Sequence, residues 1–200
     1  MTSIQQRDAN AVLTGIDELL PKLRERAQET EDLRRIPPEA TIAELDEVGF
    51  FKLLQPEQWG GLQSDPTMFY EAVRRLASAC GSTGWVAGIL GVHNWHLAHF
   101  DQQAQEDVWS ADPPTVRISS SYAPMGAGVV TEAGDGYIVN GAWHWSSGCD
   151  HATWTFVGGP VIKDGRPVDF GSFLVPISDY RIEDDWHVVG GSREPAATPW

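Results

Sequence analysis

The sequence pattern of this chain changes at Asp112-Pro113-Pro114, and this change constrains the fold more than any other feature. Before it, apolar residues recur at intervals of three and four, which is typical of amphipathic helices. From Val116 onward, alternating segments are cut by tight turns, which indicates β-strands. We therefore predict an α+β chain, with an all-α domain at residues 1–112 and an all-β, barrel-like domain at residues 113–190.

The first domain is predicted to contain helices at residues 8–34, 38–49, 66–80, 84–100 and 102–109. Pro21 predicts a kink or a break in the first of them. Asp65, which a proline follows, is a good N-cap for the third helix, and Ser82 or Thr83 can cap the fourth. The helix at 84–100 is apolar on nearly every side, so we expect it to be buried.

The second domain carries two hairpin signals. Gly134-Asp135-Gly136 separates two apolar strand segments, and so does Asp164-Gly165. Short turns of this composition between runs of β-branched and aromatic residues predict antiparallel strand pairs.

A tryptophan-rich segment, Gly141 to Asp150, follows the first hairpin. In an extended strand, Trp143, Trp145 and Ser147 would share one face, opposite to that of Ser146. The pattern alone favours an aromatic strand of the core. The alternative is a ligand wall built from indole, with hydroxyl and N–H donors beside it.

Composition excludes several kinds of partner. The net charge of −14 argues against nucleic acid and anionic membranes, and no apolar run reaches the length of a membrane span. Without a secretion signal, Cys80 and Cys149 are predicted to be free thiols in a reducing, cytoplasmic compartment. His93, His96 and His99 form a cluster, but no further ligands complete a zinc set, so we expect no metal site.

Three segments carry groups suited to a flat ligand with a polar edge. They are the helix with Trp85, His93 and His96, the run Ser119–Tyr122, and the run Trp145–Ser147. Hydroxyl and N–H donors suit the edge of a heterocycle, and an indole supplies an apolar wall. Each segment alone is also typical of ordinary strand ends and core histidines. The sequence lacks the motifs of serine hydrolases, P-loop proteins and dinucleotide-binding Rossmann domains.

Taken together, these segments resemble a known family. The order of the two domains and the segment Leu54–Gly61 resemble the acyl-CoA dehydrogenase fold. More specific segments resemble the oxygenase component of two-component, reduced-flavin-dependent aromatic monooxygenases of the 3-hydroxy-9,10-secosteroid 4-hydroxylase type: Gly81–Trp85, Val92–His96, Ser119–Pro124 and Trp143–Asp150. The resemblance covers residues 1 to 190, nearly the whole chain.

The resemblance implies a cytoplasmic oxidoreductase of steroid and cholesterol catabolism. A separate flavin reductase would supply reduced flavin, FMNH2 by preference or FADH2. Oxygen would add at the flavin C4a, and the hydroperoxide would hydroxylate the phenolic ring of a secosteroid ortho to its hydroxyl group. His93 or His96 would activate the phenol. The subunits would form a homo-oligomer, a tetramer, and the flavin would be lined by Trp85, Ser119, Ser120, Ser121, Tyr122, Trp145, Ser146 and Ser147.

Two alternatives stay open, an acyl-CoA dehydrogenase with FAD and an inactive amino-terminal fragment of either enzyme. The family continues into a C-terminal four-helix bundle, whereas this chain stops at Trp200. The resemblance implies that residues 191–200 are an aberrant tail, because one possible coding sequence of Glu194–Trp200, shifted by one nucleotide, encodes the family's Gly-Thr-Gly-Ser-Asn-Thr-Val. We therefore expect a truncated, frameshifted product with an open sheet edge, poor stability and no turnover.

Overall fold

The computed structural model describes residues 4–35, 38–110, 116–123, 129–133, 136–183 and 196–199. They divide into two compact units, which we call the helical unit, up to Arg117, and the β-unit, from Ile118 onward. The predicted order of helices followed by strands is confirmed. The predicted domain boundary at Asp112-Pro113-Pro114 lies outside the described residues.

The helical unit has the helices α1 (Ile4–Leu33), α2 (Ala43–Glu47), α3 (Pro66–Ala79), α4 (Gly81–Leu97) and α5 (Gln102–Trp109). Shorter helical turns lie at Pro38–Ile42, Phe50–Lys52 and Glu57–Trp59. Within the described ranges, no helix combines the length and apolar character that crossing a membrane requires.

Helix α1 continues through Pro21, so the predicted break there is wrong. A proline removes one helical N–H, which here would serve the carbonyl oxygen of Asp17. Pro21 and Asp17 are both exposed, so water can satisfy that carbonyl. The buried side of α1, with Ile16 and Leu23 in the core, supplies packing that holds the helix together across the proline.

Helices α3 and α4 begin with different caps. The Asp65 carboxylate accepts a hydrogen bond from the Thr67 N–H at 2.8 Å, as predicted for an N-cap. For α4 the predicted caps Ser82 and Thr83 are wrong, because the helix starts earlier and both residues lie in its first turn. Its N-cap is Cys80, whose Sγ accepts from the Thr83 N–H at 3.5 Å. The Ser82 hydroxyl donates instead to Glu31 of α1.

Asn94 on α4 connects three parts of the helical unit. Its side-chain Nδ2 donates to the carbonyl oxygens of Phe51 at 3.0 Å and Val116 at 3.5 Å. Its Oδ1 accepts from the Trp109 indole N–H at 3.2 Å. The side chain is fully buried, so these bonds replace the water that a buried amide loses.

The β-unit has the strands β1 (Ile118–Ser121), β2 (Val129–Ala133), β3 (Gly136–Asn140), β4 (Trp154–Lys163), β5 (Arg166–Pro176), β6 (Tyr180–Glu183) and β7 (Ala196–Pro199). Both predicted hairpins are confirmed, as the antiparallel pairs β2–β3 and β4–β5. Strand β4 also pairs in parallel with β1 and with β2. A separate two-stranded sheet joins β6 to β7, which comes from the predicted aberrant tail.

The core of the β-unit is built around Trp143, which is fully buried. Its indole packs with Val157, Val175 and Tyr180. The indole N–H donates to the carbonyl oxygen of Gly158 at 2.7 Å. A tryptophan that is both packed and hydrogen-bonded in this way is a structural residue.

Candidate functional site

The segment from Trp143 to Ser147 does not form the regular strand that its alternating pattern predicts. Trp143 is fully buried, whereas 62% of the Trp145 surface is exposed. The backbone of Trp145 has φ of 65°, in the left-handed region. A left-handed residue reverses the local direction of the side chains. The prediction that the two indoles share one face is therefore wrong, while the interpretation of Trp143 as packing is confirmed.

Hydrogen bonds hold this segment on both sides of Trp145. The Ser121 hydroxyl of β1 donates to the His144 carbonyl oxygen at 2.6 Å. The Ser147 N–H donates to the Trp145 carbonyl oxygen at 3.1 Å, and the Cys149 N–H to that of Ser146 at 3.2 Å. The indole of Trp145 is thus presented from a fixed backbone.

The predicted serine donors divide into two groups. Ser119 and Ser121 are buried on one face of β1, as strand alternation requires. Ser119 lies beside the phenol of Tyr180, and burial raises the pKa of this tyrosine while the Ser119 hydroxyl opposes the shift. Ser146 is also fully buried. The structure therefore places the Ser119, Ser121 and Ser146 hydroxyls inside the β-unit rather than on its surface.

Within the β-unit, the accessible members of the predicted flavin set are Ser120, Tyr122 and Trp145. Ser120 lies on the face of β1 opposite to Ser119, and Tyr122, which follows directly after β1, is hydrogen-bonded to Ser120 through its phenol group. Tyr122 is 40% exposed. Burial raises the pKa of the Tyr122 phenol, against the opposing effect of a hydrogen bond with Ser120. Ser147 is buried like Ser119, Ser121 and Ser146.

Helix α4 presents an apolar stripe rather than being buried on all sides. Trp85, Ile89, Val92 and His96 are spaced by four, three and four residues, which places them on one helix face. Trp85 is 62% exposed, so the prediction of a wholly buried helix is wrong. Helix α4 is apolar on average because both this stripe and the buried side of the helix consist mainly of apolar residues.

A groove of about 440 Å³ lies between α3 and α4, along the part of this stripe from Trp85 to Val92, and His96 does not line it. Tyr70 and Val73 of α3 form one wall, and Trp85, Ile89 and Val92 of α4 form the other. The lining is almost entirely apolar, so the groove suits a hydrophobic molecule rather than a charged one. Sequence reasoning missed Tyr70. The only signal in the sequence is that this aromatic residue of α3 lies outside the stripe of apolar residues that faces the core.

The two candidate catalytic histidines have different surroundings. His93 is 4% exposed, and its Nδ1 lies 2.6 Å from the Ile89 carbonyl oxygen. Because a carbonyl only accepts, Nδ1 carries the proton and Nε2 carries the lone pair. His96 is half-buried. Burial, and to a smaller extent the nearby His99, lower the pKa of His96, so its neutral, proton-accepting form is favoured.

The cysteines and histidines of the described ranges do not assemble a metal site there. No group of three or more His, Cys, Asp or Glu side chains in those ranges is placed to hold a metal ion. Cys80 and Cys149 are thiols without a disulfide, as predicted, and both are buried.

Comparison with known proteins gives a consistent set of matches. Residues 16–112 match the family model described as acyl-CoA dehydrogenase, N-terminal domain. The chain is 74% identical over 190 residues to HsaA, the oxygenase subunit of a flavin-dependent monooxygenase of Mycobacterium tuberculosis, over 95% of this chain and 47% of the relative. The oxygenase component of the FADH2-dependent resorcinol hydroxylase of Rhizobium sp. is 43% identical over 170 residues, 84% of this chain and 40% of the relative.

A solved structure supports the same relationship. The crystal structure of the HsaA monooxygenase from M. tuberculosis matches this chain with a TM-score of 0.91 at 66% identity. The match covers 96% of this chain and 52% of the crystallised one. This chain thus spans about half the length of the curated relatives it matches.

Proposed function

We propose that this chain belongs to the family of flavin-dependent monooxygenase oxygenase subunits with the acyl-CoA dehydrogenase fold, and that it serves in the hydroxylation of a phenolic ring by reduced flavin and oxygen. The observation that carries the proposal is the 74% identity to such a subunit over 95% of the chain. The fold and the distribution of exposed aromatic residues support it.

The substrate we propose is the phenolic ring of a secosteroid, hydroxylated ortho to its hydroxyl group during steroid catabolism. A second relative, at 43% identity, is named as a hydroxylase of resorcinol, which is also a phenol. The apolar groove of the helical unit supports a large hydrophobic substrate, because its walls offer almost no polar partner.

The β-unit carries groups that fit a flavin. The exposed Trp145 indole would supply an apolar wall for the ring system, and Ser120 and Tyr122 would supply hydroxyl groups for its polar edge. Ser121 would act from beneath, because its hydroxyl group holds the His144 carbonyl oxygen next to Trp145, whereas Ser119 and Ser146 lie buried inside the β-unit. Reduced flavin, when bound, supplies the electrons and activates oxygen, which protein side chains alone do not do.

The helical unit carries the proposed base. Removing the proton from a phenol makes its ring more electron-rich, and a neutral histidine does this at neutral pH. His96 lies half-buried on the same face of α4, one turn beyond the residues that line the groove, and its lowered pKa favours the neutral form. The Ile89 carbonyl oxygen holds a proton on Nδ1 of His93, so Nε2 is the ring atom that would act as the base. We propose His96 as the base that meets the substrate, with His93 as the second candidate.

The proposed partners follow from the same family membership. A subunit of this type needs a separate reductase to supply reduced flavin, FMNH2 or FADH2, and we propose a homotetramer as the assembly. The two buried cysteines, which form no disulfide, support a reducing, cytoplasmic compartment.

A single-turnover experiment tests the proposal. The protein is mixed without oxygen with reduced FMN or reduced FAD and a phenolic secosteroid, oxygen is added, and the product is identified by mass spectrometry. A catechol that carries one oxygen atom from labelled O2 would support the proposed chemistry and overturn the expectation that this chain has no turnover; the rate should then fall at least about tenfold with His96→Gln. Bleaching of oxidised flavin by an acyl-CoA would instead indicate a dehydrogenase, and the absence of both signals would contradict any enzymatic role of this chain.

A further inference from the structure

Trp145 has a backbone conformation that large side chains rarely adopt. Its φ of 65° lies in the left-handed region, where the side chain of an L-residue crowds the backbone. The other non-glycine residues with positive φ in the described ranges are polar residues in turns or at a helix end: Arg34, Gln63 and Asp164. Trp145 is the aromatic exception among them.

Packing inside the β-unit offsets little of this strain. With 62% of its surface exposed, the Trp145 indole buries much less area than that of Trp143. Glycine, which takes positive φ without cost, stands only three residues further on, at Gly148 with φ of 77°. A tryptophan thus stands at position 145, although a glycine would relieve the strain there.

The segment cannot relax by rotating residue 145, because both of its flanks are fixed. On one side, Trp143 is buried and bonded to Gly158, and Ser121 holds the His144 carbonyl. On the other side, Ser146 is fully buried and its carbonyl accepts the Cys149 N–H. Strain of this kind persists only where the surroundings fix the backbone, and such positions concentrate at ligand sites.

We propose that Trp145 is a strained positioning residue, whose left-handed backbone is kept at the expense of stability because it presents the indole to the bound ligand. The inference rests on the proposed function for the nature of the ligand, a reduced flavin. It adds that the left-handed backbone of Trp145 lowers the stability of the fold while it raises the affinity for flavin.

Two substitutions separate the strain from the indole. Trp145→Ala removes the indole and keeps a side chain in the left-handed region, whereas Trp145→Gly removes both. Once the stability of Trp145→Gly is corrected for the extra chain entropy of glycine, its folding equilibrium constant should exceed that of Trp145→Ala by about five- to thirtyfold. Asp164→Gly, at the tip of the β4–β5 hairpin, is the control for a left-handed residue that has no ligand role.

The measurements are denaturant titrations of the full chain and anaerobic titrations with reduced FMN and reduced FAD. We expect both Trp145 variants to bind reduced flavin at least about tenfold more weakly, Trp145→Phe to retain part of the affinity, and Asp164→Gly to bind as the parent chain does. If the glycine and alanine variants are equally stable after the correction for chain entropy, the proposal that the backbone of residue 145 is strained is wrong. If the parent chain binds reduced flavin and both Trp145 variants bind it just as well, the proposed ligand role of Trp145 is wrong. A parent chain that binds neither flavin would instead overturn the proposed function, while the stability comparison would still decide the strain.

Discussion

The substitution Asn94→Asp should destabilise the helical unit strongly, although it changes only one group. The asparagine Nδ2 donates to the carbonyl oxygens of Phe51 and Val116. In the variant an acceptor replaces this donor, so three oxygen atoms face one another in a fully buried position. Only the bond from the Trp109 indole N–H to Oδ1 can survive the change.

The magnitude follows from these contacts. The Phe51 carbonyl, whose bond is 3.0 Å long, loses its partner, and an unsatisfied buried polar group costs about 1–3 kcal/mol. The Val116 contact, at 3.5 Å, adds less. Burial of a carboxylate adds a further cost, so we expect a loss of about 3–5 kcal/mol of unfolding free energy at neutral pH.

The loss should depend on pH with a definite sign. Burial and the two carbonyl oxygens favour the neutral acid, so the pKa of the introduced carboxyl group in the folded variant lies above its unfolded value of about 3.9. Stability is then lost as the pH rises through the folded pKa and is recovered as the pH falls below it. The protonated acid can also donate to the Phe51 carbonyl, which restores one bond.

Denaturant titrations of parent and variant across the acid range measure this effect. The matched control is Asn10→Asp on the exposed side of α1, where a change within about 0.5 kcal/mol is expected. A cost below about 1 kcal/mol at neutral pH, or a cost independent of pH, would refute the reasoning, because either result means that the Asn94 amide does not make these bonds.

Three further predictions concern packing and titration. Trp143→Phe removes the donor of the Gly158 carbonyl and part of the core, so it should cost about 2 kcal/mol and leave reduced-flavin affinity unchanged. Gly158→Ala should cost about 2–3 kcal/mol, because a Cβ there would clash with the Tyr122 carbonyl oxygen, whereas a Cβ in Gly136→Ala meets nothing within 4 Å. Stability should fall as the pH drops below about 6.5, because the lowered pKa of His96 makes the unfolded chain take up a proton that the folded chain resists, and His96→Gln should flatten that slope.

Each of these results has a clear contrary outcome in the same denaturant titrations. If Trp143→Phe does not change the free energy of unfolding, this indole is not part of the core. Equal costs at positions 158 and 136 would mean that β4 does not approach Tyr122 closely. An identical pH slope in the parent chain and in His96→Gln would assign the titration to another group.

Much of the fold could be predicted because its signals are local. The Asp65 cap depends on a side chain and an N–H two residues apart. The β4–β5 hairpin depends on Asp164-Gly165, where both residues adopt positive φ, as a tight two-residue turn requires. Helix α1 shows the limit of local rules, since packing of its buried side outweighs the proline at position 21.

Long-range pairing could not be predicted in the same way. Strand β1 lies parallel to β4, with Ser119 beside Thr155, although a hairpin and the tryptophan segment separate them in the chain. No sequence signal joins two parallel strands across such a distance. The burial of Ser119 depends on this pairing and on Tyr180 beyond it, so the division of the serines into buried and accessible groups emerged only from the fold.

The roles of Trp143 and Trp145 show why the site was harder to predict than the fold. Assigning faces by alternation assumes that every residue between them is extended. One left-handed residue breaks that assumption, and no propensity predicts it at a tryptophan. The Gly158 carbonyl then decides which indole is structural, because it accepts the N–H of Trp143. With that bond made, the left-handed backbone at position 145 turns the second indole outward. The conformation that the alternating pattern could not predict is therefore the one that makes Trp145 available to a ligand.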